Sequence, residues 1–201
     1  MADLNKLIQL VRAQIRDKGG VIFALPKPAS EETPAEPDEL EPMVQNVVDD
    51  YSRWRPLRGK PGQLELHIEQ IEYTLPDDLI ELESFPKEYF RYNKFLTLSD
   101  APIQEETIRY VYTAMHMAET IPHYDVPALV GMAAANALRA VVSDPNKIEE
   151  YISFKLEGVL DIDTRNTSEV SREILKTAAE FEKQYLLRVQ HQTSGPYMSF
   201  G

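Results

Sequence analysis

The sequence contains no cysteine, which excludes disulfide bonds and thiolate chemistry and leaves only His and carboxylate ligands for a zinc site. Positive charge is also scarce: 21 Lys and Arg residues face 33 Asp and Glu residues, for a formal net charge of −12. This imbalance argues against non-specific binding to nucleic acid or to an anionic membrane, which requires a basic face. An acidic surface still suits a protein that lies near DNA without adhering to it.

Long apolar runs are missing as well. No segment approaches the roughly 20 apolar residues that a membrane-spanning helix requires, and Asp3, Lys6, Arg12 and Arg16 interrupt the region where a signal peptide would lie. We therefore expect a protein that stays in a cytosol-like compartment and has no membrane segment. Its 201 residues, 43% of them hydrophobic, suffice for one domain with a substantial core.

The sequence motifs of common enzyme classes are absent too. No serine lies in a GxSxG context, and the turn at residues 59–62 lacks the spacing of a phosphate-binding loop. Adjacent acids such as Asp49 and Asp50 could serve acid–base catalysis, but in so acidic a chain they more often form a solvated face. We predict no enzymatic activity, no catalytic residue and no cofactor.

One group of side chains has the chemistry of metal ligands: His116, Glu119, His123 and Asp125. Their spacing matches no helical HxxxH or HExxH pattern, because Pro122 breaks the segment. The turn and capping residues of a strand-to-helix connection explain the same group. We predict no metal site, and a metal-dependent hydrolase is the least favoured alternative.

The stretch over residues 108–143 organises the chain. Nearly every residue from 108 to 113 is β-branched or aromatic, which predicts a strand. Asp125 is a good N-cap for the helix that follows, in which Asn136 and Arg139 are the strongly polar residues. A helix that is apolar almost all round is usually buried. We expect this Ala-rich helix to be the hub of the fold.

We predict a mostly α fold of the α+β class. It is a helical bundle around the buried Ala-rich helix, with a small antiparallel β excursion inserted between the second and third main helices. Apolar residues at helical spacing predict four helices, and alternating residues predict the excursion. The helices cover about residues 2–17, 42–53, 125–142 and 168–190, and the β excursion about residues 63–114.

Three local features complete this organisation. The alternating pattern slips at Gln70, which indicates a bulge or a strand that changes its buried face. Residues 27–41 are rich in Pro and acid and predict an exposed, mobile linker. Residues 146–163 fit either a helix or a loop. We expect one domain over residues 1–191, followed by a C-terminal tail at 192–201.

Two surface features rise above this background. Arg53, Trp54 and Arg55 end the second helix with two bidentate donors around a rigid aromatic ring, a composition typical of interface hot spots. Burial of Trp54 in the protein's own core is an equal alternative. The tail has no charged side chain but contains Pro196, Tyr197, Met198 and Phe200. It could dock on its own body, fray, or insert into a partner.

The chain resembles the head-to-tail connector (adaptor, or neck) proteins of tailed bacteriophages, from the second helix to the last. Four segments in a fixed order carry the resemblance, and together they are more specific than any one alone. They are Tyr51-Ser-Arg-x-Arg-Pro56, Ile71-Glu-Tyr73, Tyr112-Thr-x-x-His116 and Thr120-Ile-Pro-x-x-Asp125-x-x-Ala128-Leu129. The acidic segment at 27–41 is longer than the family pattern, and residues 145–163 look like an insertion.

The resemblance implies a structural virion protein of the neck, between capsid and tail, assembled in the host bacterial cytoplasm. It implies a homo-oligomeric ring, a dodecamer, that binds the portal protein on one side and a tail, stopper or terminator protein on the other. DNA passes through its lumen without sequence-specific binding. On this basis the tail residues are candidates for portal docking, and Arg53, Trp54 and Arg55 for the subunit interface. The alternative is a cytosolic helical protein-binding module with a C-terminal peptide motif.

Overall fold

The computed structural model describes residues 3–29, 34–156 and 167–190. The chain divides into two compact units. One, which we call the helical unit, comprises residues 1–50 and 118–201; the other, the sheet unit, comprises residues 51–117. Each is described by itself below.

The predicted fold class is wrong. Of the described residues, 46% are helical and 22% lie in strands, so the fold is an α+β mixture rather than a mostly helical bundle. The strands form two antiparallel sheets with a hydrophobic core of their own, so they are more than a small excursion from a bundle. The sequence pattern did not predict the full extent of the sheets, because the first strand contains Gly59, Pro61 and Gly62, which favour a turn.

The described residues contain five α-helices, and four of them coincide with predicted helices to within two residues at each end. The fifth, α4, lies where the sequence fitted either helix or loop. Asp144 separates α4 from α3 (Val126–Ser143), and the Oδ1 atom of Asp144 accepts the Asn146 N–H at 2.9 Å. The helices are α1 (Leu4–Ile15), α2 (Glu41–Trp54), α3 (Val126–Ser143), α4 (Pro145–Leu156) and α5 (Thr167–Gln190).

Helix α3 is the central element of the helical unit, where it packs against α1, α4 and α5. Its small side chains allow these neighbours to approach closely, because Ala133, Ala134, Ala135 and Ala137 are almost completely buried. Contrary to the expectation that no segment approaches a membrane-spanning length, α3 is by length and composition apolar enough to cross a membrane, a property that the core helix of a globular domain shares. Its contacts with three other helices fit the role of a core helix.

The helical unit also contains a buried ionic cluster that the sequence pattern missed. Arg12 lies on the inward face of α1, where its guanidinium contacts Asp17 at 3.0 Å and Asp38 at 2.8 Å. Asp17 accepts the backbone N–H groups of Val21, Ile22 and Phe23 as well, at 2.8 to 3.1 Å. The paired charges satisfy one another and fix the loop after α1.

This cluster changes the interpretation of the acidic segment at 27–41. Asp38 and Leu40 are buried, so the expectation of an exposed linker is wrong at both residues. Lys27 and Glu36 form an isolated antiparallel bridge and an ion pair of 2.7 Å. The segment packs against the helical unit at Asp38, because the buried guanidinium of Arg12 pairs with the Asp38 carboxylate.

Six strands build the sheet unit, in the orders β1-β6-β3 and β2-β5-β4, with every pairing antiparallel. The slip at Gln70 is a turn between two sheets: β1 ends at Leu66, Glu69 has a φ of 64°, and the chain resumes as β2. The strands are β1 (Leu57–Leu66), β2 (Glu72–Thr74), β3 (Leu79–Ser84), β4 (Tyr89–Tyr92), β5 (Phe95–Leu98) and β6 (Glu106–Ala114).

Tyrosines and leucines fill the core of the sheet unit. Tyr73, Tyr110 and Tyr112 are buried together with Leu66, Leu96 and Leu98. Gly62 on β1 lies directly beneath Tyr110, and a Cβ atom placed there would lie 2.3 Å from Tyr110 Cζ. The tyrosine ring therefore occupies the space that a side chain at position 62 would need.

The outer strand β3 is covered at one point by an arginine from the other sheet. Arg91 Nη1 donates to the Ile80 carbonyl oxygen at 2.8 Å, and Arg91 Nε donates to the Asn93 carbonyl at 2.7 Å. One side chain thus links β3 to the β4–β5 hairpin and satisfies a main-chain acceptor on an edge strand.

Candidate interaction surfaces

The predicted interface residues lie at the C-terminal end of α2. Arg53 is exposed and Trp54 keeps 45% of its surface exposed, so the tryptophan is not a core residue. Arg55 is half-buried, and its backbone N–H donates to the Tyr51 carbonyl at 2.8 Å. The helix end thus presents an exposed Arg–Trp pair, which suits a protein contact.

Two of the segments that carry the family resemblance meet within the sheet unit. Tyr51 and His116 stack in a tilted arrangement with ring centroids 5.3 Å apart. The hydroxyl oxygen of Ser52 accepts the His116 backbone N–H at 2.9 Å. All three residues are buried, so this junction joins the end of α2 to the segment that follows β6.

A third segment contributes Asp125, which stands at the predicted N-cap of α3 but makes no side-chain cap bond there. Its buried carboxylate instead accepts from Arg188 Nε on α5 at 2.6 Å. The Arg188 guanidinium also lies over the Tyr124 ring, 5.2 Å from its centroid. Asp125 therefore connects two helices, a role that its capping pattern did not predict.

The four possible metal ligands do not assemble into a site. No group of three or more His, Cys, Asp or Glu side chains with metal-binding geometry occurs within residues 3–29, 34–156 and 167–190. His116 packs on Tyr51 and Asp125 pairs with Arg188, as described above. The four candidate tail residues Pro196, Tyr197, Met198 and Phe200 lie outside the described residues.

A small polar cluster lines one side of the sheet unit. Lys60 pairs with Asp78, which also accepts the Tyr112 hydroxyl at 3.3 Å. The hydrogen bond to Asp78 raises the pKa of Lys60, and burial raises the pKa of the neighbouring Tyr110. Through Asp78, the residue before β3, the cluster connects Lys60 on β1 with Tyr112 on β6.

Sequence analysis missed an aromatic surface on the β4–β5 hairpin. Phe90, Tyr92 and Phe95 are 73%, 77% and 52% exposed. Tyr92 and Phe95 are directly paired, and Phe90 lies two residues before Tyr92, so the three rings share one face of the sheet. We call this face the aromatic face. Its signal was the aromatic composition of Tyr89-Phe-Arg-Tyr92, which favours a strand, but this segment was not identified as one.

The helical unit has an open groove lined by residues of α1, α3, α4 and α5, with a volume of about 480 Å³. Its apolar lining includes buried Leu138 and half-buried Val170 and Phe181. Exposed Glu169 and Glu173 line the groove beside exposed Arg16, so acidic residues outnumber basic ones there. We call this feature the α5 groove.

Comparisons with known proteins give no family assignment. No protein-family model matches the chain, and no curated protein sequence matches it.

Proposed function

We propose that the protein is a head-to-tail connector of a tailed bacteriophage, a structural component rather than an enzyme. The observation that carries the proposal is the junction of Tyr51, Ser52 and His116. These residues belong to two connector-like segments that lie about 60 positions apart in the chain, yet they are buried against each other. The two segments therefore form one buried contact rather than two separate surface patches.

In this role the protein forms a dodecameric ring in the virion neck. One face binds the portal protein and the opposite face binds the tail, stopper or terminator protein. A ring of this kind needs a heterologous contact, in which two different surfaces of each subunit meet around a closed circle. The exposed Arg53 and Trp54 at the end of α2 are candidates for that contact.

The charge of the chain supports passage of DNA rather than its capture. A net charge of −12 leaves the subunit without the excess of Lys and Arg that phosphate binding requires. An acidic lumen repels the DNA backbone and lets it slide through the ring. A lumen found to be lined with Lys and Arg would overturn this part of the proposal.

Binding to assembled portal rings tests the proposal. The full chain and a version truncated after Gln192 are each mixed with purified portal rings, and the complexes are separated by sedimentation. We expect the full chain to bind as a ring and the truncated chain to bind at least several-fold more weakly. Equal binding would reassign docking to the folded body.

The outcome also separates the connector from its alternative. If neither version binds portal rings, the connector proposal fails, and a cytosolic protein-binding module with a C-terminal peptide motif becomes the better interpretation. A Lys176→Ala variant is a suitable control, because Lys176 is exposed and its contact with Glu173 spans 4.0 Å.

A further inference from the structure

We propose that the aromatic face of one copy inserts into the α5 groove of a second copy, as one of the contacts that repeat between neighbouring subunits of the ring. The inference rests on the proposed function for the identity of the partner, a second copy of this chain. It adds a pair of complementary surfaces to the exposed Arg53 and Trp54.

The aromatic face exposes large, mostly apolar side chains to water, which is unfavourable unless a partner covers them. Three aromatic side chains, each more than half exposed, project from a hairpin with a two-residue turn at Asn93 and Lys94. An aromatic side chain buries about 150–250 Å² when it is fully covered, so the three rings offer several hundred Å² of apolar surface. A single exposed apolar residue is ordinary on a protein surface, but a contiguous patch of this size marks an interaction site.

The patch is too small for a stable symmetric dimer formed by itself. A standard interface buries roughly 800 Å² on each partner, which three rings do not reach. They fit the role of an anchor, in which aromatic residues fill a pocket on the partner and a surrounding rim excludes water. The required partner surface is therefore concave and apolar at its floor.

The α5 groove has these properties and the opposite charge. Its apolar lining includes Leu138, Val170 and Phe181, and its volume of about 480 Å³ lies within the range of pockets that bind small apolar groups. The hairpin from Tyr89 to Phe95 carries exposed Arg91, and Lys94 paired with Asp77 at 3.2 Å, but no acid of its own, whereas the groove carries two acids and one base. Opposite charges at the rim orient the approach of the two surfaces.

A contact between two different surfaces propagates from copy to copy. An apolar projection that fits a pocket elsewhere on the same molecule makes a heterologous interface, which closes into a ring when the rotation between copies allows it. A single-stranded nucleic acid is the competing occupant, since aromatic rings on a sheet also stack with bases. The acidic chain disfavours it, as does the ion pair that Lys94 makes with Asp77 at 3.2 Å.

The absence of cysteine makes a direct test possible, because any introduced thiol is the only one in the chain. A Tyr92→Cys protein and a Thr177→Cys protein are mixed and mildly oxidised. Thr177 lines the groove and is exposed, and Tyr92 is exposed as well, so we expect both cysteine variants to fold. We expect the mixed disulfide to form several-fold more than in a mixture of Ile103→Cys with Thr177→Cys. Ile103 is the matched control, since it is 92% exposed in the sheet unit outside the hairpin.

Further variants separate the remaining explanations. Adding Phe90→Ser to the Tyr92→Cys protein should reduce the mixed disulfide several-fold, and a chain with both cysteines should give a ladder of linked multimers. A mixed yield equal to the Ile103 control overturns the inference. So does a predominance of disulfides between two Tyr92→Cys copies, which indicates a symmetric hairpin contact. Binding of a single-stranded oligonucleotide that Phe90→Ser/Tyr92→Ser abolishes would assign the face to nucleic acid instead.

The result is independent of the portal experiment. A chain that crosslinks hairpin to groove but ignores portal rings keeps this inference and loses the connector function. A chain that binds portal rings as a ring while its mixed crosslink stays at the control level keeps the function and loses the inference. Circular dichroism of each variant confirms that the compared proteins are folded.

Discussion

The helical unit and the sheet unit achieve their internal order by different means. The helical unit buries charge: Arg12, Asp17 and Asp38 form a closed cluster, and Asp125 is buried against Arg188. The sheet unit leaves its ion pairs partly exposed and relies on the shape of buried tyrosines, with Gly62 fitted beneath Tyr110. The difference indicates that one unit should be sensitive to loss of charge and the other to small changes of volume.

The largest effect is expected from Arg12→Ala. Removal of the guanidinium leaves the buried carboxylates of Asp17 and Asp38 without their cation, which typically costs about 3–5 kcal/mol. Urea unfolding measures the loss, and hydrogen exchange by mass spectrometry locates it. We expect faster exchange in the helical unit while the sheet unit keeps its protection. Equal loss in both would show that the two units unfold together. Lys176→Ala, on an exposed face, should change stability by less than about 0.5 kcal/mol.

Gly62→Ala tests the sensitivity of the sheet unit to volume. The new Cβ atom collides with the Tyr110 ring, and such overpacking typically costs about 1–3 kcal/mol. Gly59→Ala is the matched control on the same strand, because nothing lies within 4 Å of its Cβ position and only its φ of 71° opposes the change. A Tyr110→Leu background should relieve the cost at Gly62 but not at Gly59. An additive double-mutant cycle at Gly62 would contradict the steric explanation.

Ser52→Ala tests the junction on which the functional proposal rests. The change removes the oxygen that accepts the buried His116 N–H, and an unsatisfied buried donor costs about 1–3 kcal/mol. Thermal unfolding measures the effect. Ser143→Ala, where the hydroxyl donates to a carbonyl near the exposed end of α3, should be close to neutral. A neutral Ser52→Ala would indicate that the junction is held by the Tyr51 and His116 rings alone.

The smallest effect concerns alkaline pH. The pKa values of Lys60 and Tyr110 are both raised in the folded protein, by the hydrogen bond to Asp78 and by burial respectively. A raised pKa stabilises the fold fully below the unfolded-state pKa, near 10 for both groups, and this contribution disappears as pH rises through the folded value. We expect stability to fall above about pH 10, and Lys60→Gln to weaken this dependence. An unchanged pH profile in Lys60→Gln would exclude Lys60 as a contributor.

The positions of α1, α2, α3 and α5 were predictable because apolar residues recur in them at helical spacing, whereas α4 fitted either a helix or a loop. The stripe on α5 is an example: Ile174, Ala178, Tyr185 and Val189 are buried as the pattern indicates. Buried charge was not predictable, because Arg12 reads as solvated until Asp38, 26 residues away, is known to contact it. The strand β1 was partly hidden because its glycines and proline are turn residues by local propensity.

The candidate surfaces divide in the same way. Local composition identified Arg53 and Trp54, and both are exposed at a helix end. It did not identify the aromatic face, because Phe90 and Tyr92 share a surface with Phe95 only after the hairpin has formed. The contact between Asp125 and Arg188 was not predicted either, because the two residues lie 63 positions apart in the chain. Contacts between residues that are distant in the chain leave no local sequence pattern from which they could be predicted.

The arginine that links the two sheets has a further consequence, for solubility in a crowded assembly. Arg91 occupies the Ile80 carbonyl on the edge strand β3, so an invading strand from another molecule must first displace a charged side chain to pair there. Irregular aggregation by strand addition is thereby opposed without a change in the folded core. If the protein forms the proposed ring, the same protection keeps disordered strand pairing from competing with ordered assembly.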